Sequence, residues 1–148
     1  MIPHARQSLG FLIDRLLSST LPELQTVFAM SDVAMIATLL RMFGQDFDRS
    51  AQARLEDIRE MQDIFSDAKG LVKDPALAAR LAREQDEYET NMGIEALDAV
   101  HAEHCALLIQ THAAVELIDT RAAAVVNRAI WAHLERHAER HRYDVDFG

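Results

Sequence analysis

Six of the seven histidines of this 148-residue chain fall in its last third, and five of them, His101, His104, His133, His137 and His141, are spaced for metal chemistry. Imidazole is a natural ligand for zinc, iron, copper and nickel, and two histidines one turn apart on a helix can share one ion. His133 and His137 have that spacing, His137 and His141 repeat it, and His101 with His104 supplies the i, i+3 variant. The candidate ligands for a transition metal, zinc or iron, are His101, His104, His133 and His137, with His112, Glu116 and His141 as outer candidates.

Two helices must position these side chains. Ile94, Leu97, Leu108 and Val115 mark an apolar stripe on a helix running from Ile94 to about Ile118. At 100° per residue, His101, His104 and His112 fall within about 40° of the centre of that stripe. Asp119-Thr120 reads as a short capped turn, and a last helix follows from Arg121 to about Arg142 on the stripe Val126, Ile130 and Leu134. On it His137 and His141 lie about 20° from the centre and His133 about 60°. So short a connection makes the two helices antiparallel neighbours, a hairpin over about 94–142. Positions whose numbers sum to about 239 are then level, which sets His101 opposite Ala138, His104 opposite Glu135 and Asp98 level with His141.

The rest of the chain is also helical in pattern. It has five glycines and three prolines, no Asn-Gly or Asp-Gly hairpin signal and no run that alternates with period two. The expected fold is all-α, an up-and-down bundle of five to six helices in one domain over residues 1–148. A first helix covers about 4–19, and Pro22 opens a short segment to about Met30. Ser31 reads as an N-cap, with Asp32 suited to the positive helix end. From there Ile36, Leu40, Phe43, Phe47, Ala51, Leu55, Ile58, Met61 and Phe65 keep one phase and predict one long helix over about 32–68. The alternative is a break near Gly44, where glycine costs about 1 kcal/mol relative to alanine. A helix of roughly 55 Å is longer than its neighbours, so one end overhangs or packs on a second subunit. Lys69-Gly70 stops it, Asp74-Pro75 opens a helix to about Glu89, and Asn91 to Gly93 make the next break. Glu84, Asp86, Glu87 and Glu89 read as a solvated acidic face.

Composition narrows the function classes. A net charge of −9 argues against nucleic acid or an anionic membrane as partner, because both demand clustered Lys and Arg. The longest uncharged apolar run, Val33 to Leu40, is far short of the roughly 20 residues that cross a bilayer. The N-terminal apolar stretch is interrupted by Asp14 and Arg15 and repeats at helix spacing, as a packed amphipathic helix does, so it is not read as a secretory signal. A lone Cys105 makes no internal disulfide and fits the cytoplasm; its reading is a buried, inert thiol. Trp131, about 100° off the stripe of its helix, suggests a second contact surface and a homodimer. No glycine-rich phosphate loop, HExxH or CxxC motif is present.

Two partial resemblances centre on the same histidines. His112 with Glu116, His133 with His137, and His141 with Asp146 resemble the ligand steps of hemerythrin, a non-haem di-iron oxygen carrier. Here, however, His141 continues the helix of His137, and the first helix offers no histidine beyond His4. Glu103-His104 with Ala132-His133-Leu134-Glu135 resembles part of the metal-binding ligand domain of GntR-type regulators, without its upstream aspartate and histidine pair or a winged helix. Each covers under a third of the chain, and neither family is assigned. The residues thus lead first to a non-catalytic binding or protein-interaction module and second to a metal-binding bundle protein using the histidine cluster. A ligand-sensing pocket between helices is a third class.

Overall fold

A hydroxyl group sets the start of the longest helix. Thr26 Oγ1 accepts the Ala29 N–H at 3.2 Å, and the helix that follows spans Val27–Ala68 without a break. It begins five residues before the predicted start, so Ser31 lies inside it rather than at its cap. The short segment expected after Pro22 is absorbed partly into a single 3-10 turn, Leu21–Glu23, and partly into this helix. Gly44 does not interrupt it, in agreement with the unbroken apolar phase.

The structure, a computed structural model, describes residues 4–84 and 93–144, apart from the side chain of Asp48. Those residues form an all-α protein of five helices: α1 (Ala5–Arg15), α2 (Val27–Ala68), α3 (Pro75–Arg83), α4 (Ile94–Glu116) and α5 (Arg121–Arg140). A π turn, Leu16–Thr20, follows α1. The predicted caps at Asp74 and Thr120 hold: Asp74 accepts from the Ala76 N–H with Pro75 at the first helical position, and Thr120 accepts from the Ala123 N–H. These bonds satisfy helix-end donors that have no partner within the helix. Asp86, Glu87 and Glu89, the predicted α3 end at Glu89, and Asn91 lie outside the described residues, as does Asp146.

The chain divides into two compact units, residues 1–50 with 142–148 and residues 51–141. In the second, the later part of α2 joins α3, α4 and α5 around a core that includes Met61, Phe65, Leu81, Leu107, Val115 and Ile130. Polar side chains also enter it: Thr111 donates its hydroxyl to the Leu107 carbonyl at 2.8 Å, and His104 is buried with its Nε2 unpaired. In the first unit α1 meets the early part of α2 where Gly44 faces Leu9. Gln45 exchanges two hydrogen bonds with the Asp144 backbone, and the Tyr143 hydroxyl donates to Asp46. Here the predicted stripe is only partly a core: Ile36, Phe43 and Phe47 are exposed. Among the described residues α1 is the one helix beside this part of α2 in the unit, and one short helix cannot cover so wide an apolar face. The span Val27–Phe47 is also long and apolar enough to cross a membrane by length and composition, which the count of uncharged residues alone had not indicated.

Candidate metal centre

The site is built from three helices of the second unit. α2 carries the buried ladder Ala53, Asp57, Met61, Ile64 and Ala68, stepping by fours and threes, so a carboxylate occupies a position that elsewhere in the ladder is apolar. Asp57 is fully buried. α4 brings His101 to it, and the end of α5 brings His137 and, at its C-cap, His141.

All three imidazoles converge on one oxygen. Asp57 Oδ2 lies 3.3 Å from His101 Nε2, 2.8 Å from His137 Nδ1 and 2.7 Å from His141 Nε2. The ligating atoms of Asp57, His101 and His137 all lie within 4.8 Å of one another, so this group could hold a metal ion. The rings form a continuous set, with centroids 5.7 Å apart for His101 and His137 and 4.4 Å for His137 and His141. The other face of His101 meets Cys105, whose Sγ lies 3.7 Å from Nδ1. Cys105 is half-buried at the edge of this cluster, one turn from His101, rather than sealed in the core.

A second layer neutralises the carboxylates. The Arg140 guanidinium reaches Asp57 Oδ1, Glu60 Oε1 at 2.6 Å and Glu56 Oε2 at 3.0 Å. Glu60 also takes Arg136 at 3.0 Å and the His133 Nδ1 at 2.8 Å. Burial by itself raises the Asp57 carboxyl, but hydrogen bonds from His101, His141 and His137 outweigh it and hold the group well below the usual carboxylate range. Glu60 follows the same pattern: burial opposes ionisation, and Arg136, His133 and Arg140 bring it down to about 2. His101 is pushed up to about 9, first by its bond to Asp57 and then by Cys105, with burial opposing.

The structure distributes the predicted ligands over separate places. His101 and His137 share the carboxylate of Asp57, and His141, an outer candidate, joins them. His133 is buried one turn away on Glu60. His104 turns from the cluster, its Nδ1–H bonded to the Val100 carbonyl at 3.0 Å and its ring 5.6 Å from that of Phe65. His112 and Glu116 form another group: His112 bonds Asn127 at 2.9 Å, stands 3.4 Å from Glu116 and meets the edge of the exposed Trp131 ring. Asp98 pairs with Arg54.

Asp57, Glu60 and Arg140 were not anticipated. The available signal was the phase of Asp57, which matches Met61, Ile64 and Ala68; an ionisable side chain at a core position implies a buried partner. No protein-family model, curated protein or solved structure is detectably similar to this chain. The functional reading therefore rests on the geometry.

Proposed function

We propose that this chain is a metal-binding helical protein in which Asp57, His101 and His137, with His141 as fourth donor, hold one transition-metal ion. The observation that carries this reading is the crowding of three imidazole nitrogens around Asp57 Oδ2. One carboxylate oxygen offers about two lone-pair sites, and Arg140 already engages the other oxygen. Oδ2 and the nitrogens of His101 and His137 form a three-donor group that a cation could use at once, and His141 Nε2, 2.7 Å from the same oxygen, is the candidate for a fourth ligand. Bonds of about 2.0–2.2 Å to a tetrahedral ion place its ligand atoms roughly 3.3–3.6 Å apart, which the 3.3 Å from His101 to Oδ2 already matches and which His137 and His141, at 2.8 and 2.7 Å, reach by moving outward less than about 1 Å.

Three imidazoles and one carboxylate suit zinc or ferrous iron. A four-donor set leaves no open position in a tetrahedral site, which supports a binding or structural role over catalysis. With Nε2 of His101 on the ion, its Nδ1–H points at Cys105 Sγ, and this second contact fixes the ring orientation.

The competing arrangement is a metal-free charge network centred on Arg140, favoured by its contacts with three carboxylates. Protein made without a histidine tag, stripped with chelator and titrated with Co(II), separates the two. The metal reading expects one equivalent bound per chain with visible tetrahedral d–d bands, lost in His101→Ala and His137→Ala and retained in His112→Ala. Absence of stoichiometric binding, together with thermal stability indifferent to chelator, removes the metal reading and leaves the network.

A further inference from the structure

The first half of α2 presents an apolar face that none of the described residues of its own unit covers. Phe28, Met35, Ile36, Leu39, Phe43 and Phe47 fall within about 120° of one another around the helix axis, and all six are exposed. The opposite side of the same stretch holds Ala37 and Gly44, both buried, with Gly44 against Leu9 of α1. We propose that this stripe is a homodimer interface, covered by the same stripe of a second copy of the chain.

Area supports the choice of occupant. Phe28, Phe43 and Phe47 are 87%, 61% and 69% exposed. With the three aliphatic residues they leave roughly 600 Å² of apolar surface open on each copy, the upper end for a typical monomer. Two copies together bury roughly 1,200 Å² on this stripe alone, the lower bound of a stable specific interface. Phe11 and Leu12 of α1, also exposed, enlarge the contact. A pair of helices from each copy makes a four-helix arrangement, in which a one-sided stripe becomes an interior.

Charge argues against a bilayer as the alternative cover. A helix in lipid is apolar all round, whereas this one, although Val27 and Met30 are also exposed off the stripe, carries Ser31, Thr38, Arg41 and Gln45 on its remaining faces and Asp32 within the stripe itself. The short connection through residues 16–26 makes α1 and α2 antiparallel neighbours, and Leu9 with Ile13 of α1 and Leu40 with Gly44 of α2 line the groove between them. Counting from the Leu9 and Gly44 contact sets Asp14 and Arg15 about level with Leu39 and Thr38, the middle of the apolar span. A bilayer that took up α2 would also have to take up those exposed charges, at a cost of several kcal/mol. Asp32 interrupts the stripe near the start of α2, where the rim of a protein interface stays wet and the helix N-terminus favours an anion.

Sedimentation or light scattering in detergent-free buffer, from micromolar to sub-millimolar protein, tests the proposal. The expected result is twice the chain mass for the wild type. Leu39→Glu and Phe43→Glu, both at exposed positions, should halve that mass and weaken association at least about 100-fold while leaving the helical circular dichroism unchanged. In a Cys105→Ser background, Met35→Cys should give a disulfide-linked dimer, and Ala34→Cys, exposed on the opposite face of α2, should not. A wild type that stays monomeric overturns the proposal, as does a dimer indifferent to both glutamates. Recovery only in membranes, with release by detergent alone, overturns it in favour of a lipid-embedded helix.

Discussion

The two units are assembled from the same materials in different proportions. In the second, Met61, Phe65, Leu81, Leu97 and Ile130 are each almost wholly removed from water. In the first, the buried hydrophobic side chains among the described residues are Ile13 and Ala37, and large apolar residues such as Phe28 face outward. Both units are helical, and α2 runs through both with one apolar phase. Helix formation and burial are therefore separate outcomes: periodicity orients a stripe, but the number of neighbouring helices decides whether that stripe becomes a core. Four helices close the second unit, whereas two leave the first with an uncovered face.

Paired aromatic truncations give the largest contrast. Phe65→Ala should cost about 3–5 kcal/mol in urea unfolding. Phe43→Ala, tested at a concentration where the chain is monomeric, should stay within about 0.5 kcal/mol of wild type. Equal losses at the two positions would remove the distinction between the units. Close behind is Asp57→Ala, which leaves Arg140 and three imidazoles without their shared carboxylate; about 3–5 kcal/mol is expected from the same measurement, with loss of Co(II) binding.

Acidity separates the two states of the cluster. In metal-free protein, His101 has a folded value of about 9 against 6.5 unfolded, so its contribution is complete below 6.5 and lost as pH rises through 9. Thermal unfolding should reveal a fall on the order of 3 kcal/mol across that window. Glu60, at about 2 against 4.5, contributes above 4.5 and loses its contribution as pH falls through 2. Metal-loaded protein should lack the alkaline limb and instead lose stability below about 6.5, because imidazoles ligate only when neutral. A titration identical with and without Co(II) would count against the metal centre.

The smallest effects lie in the backbone. Gly44→Ala should stabilise the first unit by up to about 1 kcal/mol, since helix propensity improves and the new Cβ would meet Leu9 Cδ1 at 3.6 Å, an ordinary contact. Thr120→Ala should cost the second unit about 1 kcal/mol by removing the α5 cap. Denaturation curves for the pair should move in opposite directions.

What could be read along the chain was local. The caps at Asp74 and Thr120, the uninterrupted helix through Gly44 and the helices bearing the histidines follow from propensity and phase, which act within a few turns. The start of α2 was misplaced because Thr26 and Ser31 are both competent caps, and the helix extended to the earlier one. Choosing among the histidines was harder still, because His101 and His104 have nearly equivalent places on the α4 stripe and only the neighbours of α4 distinguish them. One faces the carboxylate of Asp57, and the other bonds its own backbone beside Phe65.

Sequence alone determined that this protein is helical, where most of its helices stop and start, and that its last two helices carry a concentration of imidazoles. Tertiary structure decided which imidazoles meet, that Asp57 and Glu60 from α2 meet them, and which apolar stripes are covered. The reason is physical: hydrogen-bonded turns are settled among residues a few positions apart, whereas a buried carboxylate whose partners His101, His137 and His141 lie far along the chain joins them only when helices pack.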